Sequence, residues 1–400
     1  MWVNKHRIGG RKPSARLFQG LGMPILKNVL LALAAAAMAA ASAFAAEITD
    51  VTGRKVEIEL PAKRILLGEA RQIHVAAALK GEHVFDTIVG WRDDLIKKDP
   101  DSYAGYSERF PAVEKLPRFG YIPSGDFSLE AAIALKPDVL TLNLEAEKAV
   151  EEAGFIEKAA AAGIAVVYLD FRVDPAKNSE RSIEILGQLF GAETRAKEFI
   201  DYRRAQIAIV TDRLANAGAI ERPKVFIERS PGITGETACC RTFGPANFGE
   251  MVEKAGGHNI GSDVITATFG DLNPEQLVVA NPDHVIVTGS NWSAESDLNQ
   301  FVAVGRGADP TAAREKLRGL MQRPAFASLD AVKAGRLHAV WHQFYGAPYE
   351  FVPIQQFAKW FHPDLFADID PDRTFREFHE KFLPVAYRPG YFVSLSDGGE

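Results

Sequence analysis

Cysteine is almost missing from these 400 residues. Only Cys239 and Cys240 occur, and they are neighbours. Neighbours cannot staple distant segments, so the fold must rest on a hydrophobic core. A vicinal disulfide and a pair of free thiols both remain open for them. Enzyme signatures are missing too: there is no P-loop, no G-x-S-x-G elbow, no H-E-x-x-H helix and no C-x-x-C pair. The nine histidines lack the spacing of converging metal ligands. His74 and His342 have the best claim among them, and no direct metal site is expected. Neither catalysis nor a covalently bound cofactor is expected.

Basic charge is outnumbered by acidic charge outside the first 46 residues. Those carry Lys5, Arg7, Arg11, Lys12, Arg16 and Lys27 and no acid. The remainder has 40 basic and 52 acidic residues, a net charge of −12. Such a surface excludes the basic footprint of a nucleic-acid binder. Only one long apolar run exists, the Ala/Leu-rich stretch from Val29 that ends in Ala43-Phe44-Ala45. Basic residues before it and small residues at its end read as a secretory signal over residues 1–45. Met23 is a second candidate start. No later stretch is long enough to span a bilayer, and no cysteine near the cleavage site invites a lipid anchor. A soluble, exported, periplasmic product is expected, and a monomer.

What is present suits a globular α/β protein, with 47% apolar and 24% charged residues and enough length for two lobes. "ITDVTGRKVEIEL" reads as an opening hairpin with Gly53 at its turn. Short apolar strands then alternate with helical stretches to about residue 175, the pattern of a parallel sheet covered on both faces. The rhythm breaks at two helices, Ala176 to Phe190 and Glu193 to Ala217. In the second, Phe199, Ile200, Ile207, Val210 and Leu214 form one stripe at helical spacing. Strands and helices resume with "KVFIERS". The expected division is an N-terminal lobe over 46–175, a linking helical segment over 176–218, a C-terminal lobe over 219–387 and a loose tail over 388–400.

One unit is written twice. "SLEAAIALKPDVLTL" (128–142) returns as "NPEQLVVANPDHVIV" (273–287), aligning Glu130 with Glu275 and Pro137-Asp138 with Pro282-Asp283. Ser128 and Asn273 suit helix N-caps, which puts each glutamate in a first turn. Compensation of the helix dipole accounts for an acid at each start. It does not account for the same seven-residue step to Pro-Asp in both copies. A matched pair of surface carboxylates, one per lobe, would steer docking to a partner with basic sockets.

Arginine and aromatic residues fall after the strands, where open α/β sheets bind ligands. The candidates are Arg71, Trp91, Arg92, Tyr121, Arg229, Cys239, Cys240, Arg241, Phe243, Trp292, Trp341, His342, Phe344 and Tyr345. Guanidinium forks and rings together suit an anionic, partly apolar ligand.

The pieces "VTGRKVEIELPAKRIL", "SLEAAIALKPDVLTL", "AAAGIAVVYLD", "FGEMVEKAGGHNIG", "LNPEQLVVANPDHVIVTG" and "LDAVKAGRLHAVW" occur in an order that resembles the substrate-binding proteins of ABC importers for ferric siderophores and vitamin B12. The resemblance implies the helical-backbone, class III fold: two α/β lobes joined by one long rigid helix. It implies a ligand between the lobes, and Glu130 and Glu275 docking into the two subunits of an inner-membrane permease. The leading expectation is a ferric siderophore complex as cargo. Cobalamin, haem or an oxyanion such as molybdate are alternatives, and for haem the axial candidates are Tyr121, His342 and Tyr345. Direct Mn or Zn capture, or an envelope redox protein using Cys239-Cys240, are more distant readings. Three stretches depart from the family pattern: the long segment 92–118, the cysteine pair and the insert 289–323.

Overall fold

A computed structural model describes residues 45–233, 239–296 and 300–396. Residues 1–44 of the expected signal segment lie outside these. Strands β1 (Ala45–Thr49) and β2 (Lys55–Glu59) form the expected antiparallel hairpin. Gly53 takes a φ of +86° at its turn, and Asp50 Oδ1 accepts from the amides of Thr52 and Arg54 at 3.0 and 3.1 Å.

The first lobe holds a wholly parallel sheet of β3 (Ile65–Leu67), β4 (Ile88–Arg92), β5 (Arg118–Phe119), β6 (Val139–Asn143) and β7 (Ala165–Leu169), in the order β5-β4-β3-β6-β7. The second lobe holds β8 (Lys224–Glu228), β9 (Arg241–Phe243), β10 (His258–Asn259), β11 (Phe269–Asp271), β12 (His284–Gly289), β13 (Leu337–Trp341) and β14 (Phe392–Ser394). Its order is β11-β9-β8-β12-β13-β14, with β10 paired beside β8. Strands β3, β6, β12 and β13 are buried along their whole length. Their nearly unbroken apolar runs fit a sheet covered on both faces.

Helices position the rest. α1 is Ile73–Lys80; α2 (Asp94–Lys98) and α3 (Pro100–Arg109) lie inside the long segment 92–118; α4 is Leu129–Ala134. α5 (Pro175–Phe190) leads into α6 (Glu193–Asn216), which runs between the two sheets in the chain. At 1.5 Å per residue, α6 spans roughly 36 Å. Its predicted stripe faces inward: Phe199, Ile200 and Val210 are buried, and Ile207 and Leu214 pack against the same core. Arg203 on the same helix is buried and pairs with Glu180 of α5 at 3.1 Å and with Glu350. The second copy of the repeated unit begins with α7 (Pro274–Ala280). No described helix is long and apolar enough to cross a membrane.

Two expectations need correction. The helical stretch between β6 and β7, expected from its composition as one helix over about Ala146 to Ala162, is instead two, Glu147–Glu152 and Phe155–Ala161, parted by Gly154 at a φ of +56°. The C-terminal stretch is not loose throughout. Phe392–Ser394 adds to the second sheet antiparallel to β13, and His338 Nδ1 and Ser394 Oγ lie 2.8 Å apart. Tyr391 and Val393 bury their side chains there, which outweighs the tendency of a chain end to fray.

The repeated unit has one clear structural part. Asp138 Oδ2 accepts from the amides of Lys63 and Arg64 at 2.7 and 2.8 Å, just ahead of β3. Asp283 Oδ2 accepts from the amide of Lys224 at 2.8 Å, at the start of β8. In both lobes the aspartate amide returns a bond to the same strand, to the Arg64 and Lys224 carbonyls at 2.8 Å. The Pro-Asp turn thus ties each repeated strand to its neighbour.

Candidate functional site

The carboxyl ends of both sheets open on one cleft of about 520 Å³. The first lobe contributes Arg71, Arg92, Lys98, Glu145 and Arg172. The second contributes Glu228, Arg229, Arg241, Phe243, Phe269, Trp292, Glu295, His342, Gln343 and Tyr345 among others.

Two of its arginines are fixed by a buried network. Glu69 Oε1 lies 3.1 Å from Arg71 Nη2, and Glu69 Oε2 pairs with Arg172 and accepts from Asn143. Arg71 Nε donates to Asp94 at 2.9 Å, and Arg71 Nη1 donates to Gln343 and Tyr345 at 2.9 and 3.0 Å. Arg172 Nη1 donates to the same Tyr345 hydroxyl at 3.1 Å. Burial works to raise the Glu69 carboxyl, but Arg172, Arg71 and Arg92 outweigh it and hold it below the usual range. Burial likewise works to raise the Tyr345 phenol, and Arg172 and Arg71 bring it below its ordinary value. His342 is pushed well down by burial and by Arg229 and Arg71, so it is neutral at pH 7. Its Nδ1 sits 2.9 Å from the Thr288 hydroxyl.

Three other arginines are left over: Arg241, which is exposed, and the partly buried Arg92 and Arg229. Arg92 lies over the Tyr121 ring at 4.0 Å and Arg229 over the Phe269 ring at 4.6 Å. Among the described residues neither guanidinium makes an ion pair, and the Nε of each is buried without a hydrogen-bond partner. Burial lowers the Arg229 value, yet an arginine stays charged. The cleft's own acids do not serve them. Glu228 is held by both arms of Arg323, Glu295 by Lys98, and Glu145 lies 3.4 Å from Arg172. The cleft therefore presents three cationic forks, Arg92 from the first lobe and Arg229 and the exposed Arg241 from the second, each over an aromatic face.

Of the predicted candidates, Arg71, Arg92, Arg229, Arg241, Phe243, Trp292, His342 and Tyr345 line this cleft. Trp91, Trp341 and Phe344 do not: they are buried in the core. Phe344 lies in a short 3-10 helix, His342–Gly346, and packs inward from it. For the two tryptophans at strand ends the reason is the alternation of an extended chain, in which neighbours point to opposite sides. Trp91 turns inward where Arg92 faces the cleft, and Trp341 turns inward where His342 faces it. Tyr121 sits behind Arg92, outside the lining. Cys239 and Cys240 are joined as a vicinal disulfide. Neither lines the cleft; Cys240 is buried, and its carbonyl accepts from Leu272 at 2.9 Å. Sequence reasoning missed Arg172, Glu145, Glu228 and Gln343. Arg172 and Glu145 follow the ends of β7 and β6 closely, so the strand-end rule that found the others applies to them too.

Glu130 and Glu275 lie outside the cleft lining. Both are exposed in the first turns of α4 and α7. Ser128 Oγ accepts from the Ala131 amide at 3.2 Å and Asn273 Oδ1 from the Glu275 amide at 2.8 Å, as expected of N-caps. Neither glutamate side chain makes a hydrogen bond or ion pair among the described residues.

A sequence profile of the family described as "Periplasmic binding protein" matches residues 78–340. The chain belongs to this family. The molybdate-binding protein MolA of Haemophilus influenzae is 22% identical over 386 residues, covering 91% of this chain and 98% of that one. A cobalamin-binding protein of Halobacterium salinarum is 30% identical over 168 residues, 40% of each chain. Among solved structures, the TroA-like periplasmic binding protein FepB of Veillonella parvula superposes with a TM-score of 0.78 at 28% identity. That match covers 87% of this chain and 99% of that one. The family's two-lobed fold accordingly accounts for a cleft built from the strand ends of both lobes.

Proposed function

We propose that this chain captures a ferric siderophore complex of net negative charge and delivers it to the permease of an ABC importer. The observation that carries this reading is the pair Arg92 and Arg229, two partly buried cations without a carboxylate, in a cleft of about 520 Å³. An unpaired charge in a desolvated site is costly unless a ligand supplies the counter-charge. The volume lies in the range for organic ligands of roughly 300–1,000 Å³, and far exceeds what one tetrahedral oxyanion fills. Phe243, Phe269, Trp292 and Tyr345 would face the organic shell, and the guanidiniums the catecholate or carboxylate oxygens.

A molybdate-like oxyanion is the second reading, favoured by the Haemophilus influenzae relative that aligns over 91% of the chain. Equilibrium titration with ferric catecholate and ferric citrate complexes, molybdate, cobalamin and haem separates the readings. Saturable binding of an anionic ferric complex supports the proposal; binding of molybdate alone overturns it.

Export to the periplasm through a cleaved signal segment belongs to the same proposal. So does docking through Glu130 and Glu275, supported by their exposure and lack of partners. Two lobes would each offer one carboxylate to one subunit of the permease dimer.

A further inference from the structure

The two stretches that interrupt the α/β rhythm meet across the lobes. From the first, the Lys98 carbonyl accepts from Gln343 Nε2 at 2.7 Å, Asp101 accepts from Asn291 at 2.9 Å, and Lys98 pairs with Glu295. Gly105 of α3 lies under the Arg306 guanidinium so closely that a Cβ there would be 2.9 Å from its Cζ. Glu108, one turn on, lies 4.0 Å from Arg306 and 3.1 Å from Arg388.

Behind this contact is a small cavity of about 20 Å³. Its polar lining includes His74, Ser102 and Tyr106 of the first lobe and Arg306, His379 and Tyr391 of the second. His74 Nε2, Tyr106 Oη and Arg306 Nε are all buried without a protein hydrogen-bond partner. Asp99 Oδ2 lies 3.3 Å from His74 Nε2, without the alignment of a hydrogen bond, and is unpaired as well. Buried polar atoms in native proteins are satisfied by protein or by ordered water. One water needs about 10–15 Å³, which the cavity of about 20 Å³ provides. Arg306 and Asp99 set opposite charges near the cavity, which disfavours a bare cation and a bare anion alike. A neutral molecule that both donates and accepts suits the set.

We propose that this cavity is a binding site for one ordered water that joins the two lobes. The water accepts from Arg306 Nε–H and completes the hydrogen bonding of Tyr106 Oη and His74 Nε2. It forms the core of a second tie between the lobes, beside the chain connection through α6. The tie lies at the end of the cleft that Lys98, Glu295 and Gln343 line.

Two measurements test this without any cargo, so they stand apart from the reading of the cleft. A crystal structure of the exported protein at about 1.5 Å is expected to show one water within hydrogen-bond distance of Arg306 Nε and Tyr106 Oη. An empty site, or direct pairing of those atoms, overturns the proposal. Amide exchange is then compared between the parent, Tyr106→Phe, which removes one partner, and Gly105→Ala, which pushes on Arg306. Exchange across 100–109 is expected to rise about tenfold in both variants, with 139–143 unchanged. Equal protection of 100–109 in parent and both variants overturns the tie.

Discussion

Arg92 and Arg229 are the side chains on which the cleft's chemistry turns. Arg71 and Arg172 are already neutralised by Glu69 and Asp94 and serve as fixed walls. Arg92 and Arg229 make no ion pair, and Glu69, which Arg92 also draws down, keeps Arg71 and Arg172, so replacing either with methionine removes a charge without orphaning a carboxylate. Each substitution is expected to weaken binding of an anionic ferric chelate about ten- to a hundredfold, or about 1.4–3 kcal/mol. The urea midpoint should not fall. Titration and unfolding of the same preparations check both halves. Glu69→Ala is expected to behave in the opposite way. It removes the buried carboxylate paired with Arg172 and leaves Arg71 with Asp94 alone, and should cost about 3–5 kcal/mol in urea unfolding. At this scale the sequence showed which residue types gather after the strands, but not which way each points. Trp91 and Arg92 are adjacent letters, and only the pleat decides that one packs and the other binds.

At the scale of elements, the repeated unit divides into a structural half and an exposed half. Asp138→Ala is expected to cost about 1–2 kcal/mol, because the two amides just ahead of β3 lose their acceptor. Glu130→Ala should change stability by no more than about 0.5 kcal/mol. Chemical denaturation of the two variants makes the comparison. Strand β14 gives a second prediction at this scale. His284 and His338 lie 3.1 Å apart in the core, and His338 is stacked on Trp360 at 4.1 Å and bonded to Ser394 of β14. Burial, with Arg336 nearby, brings His284 down to about 4; burial and His284 push His338 well below its ordinary value. The unfolded imidazoles protonate near 6.5 while the folded ones stay neutral, so the unfolded state binds more protons. Stability should therefore fall as pH drops from about 6.5 towards 4, by about 2 kcal/mol at pH 5 for His284 alone. Urea midpoints at pH 7.5 and 5 test this, and a flat profile contradicts it. The apolar strands β3, β4, β6, β7, β8, β12 and β13, the hairpin and α6 were legible because apolar runs and stripes dictate them; the two- and three-residue strands β5, β9, β10 and β11 were too short to show a pattern. β14 was not legible either, because three residues near a chain end carry no periodic pattern; its place depends on Trp360 and His338, far away in sequence.

The whole molecule is a family member whose two lobes each repeat one unit and share one cleft. The lobes and the helix between them could be read from the rhythm of the sequence. The interlobe contacts of 94–109 with 291, 295 and 306 could not, because nothing local links those stretches. If Glu130 and Glu275 are the docking points, the variant carrying Glu130→Ala and Glu275→Ala keeps its ligand affinity. It should lose at least about tenfold in uptake or permease binding, and unchanged uptake would refute that role. The central claim concerns the cargo, and Trp292 in the cleft lining gives it a direct readout. The exported protein is titrated by tryptophan fluorescence with anionic ferric chelates, free iron and molybdate. The account predicts saturable quenching by an anionic ferric chelate and little response to the other two. A saturable response to molybdate with none to any ferric chelate would contradict it.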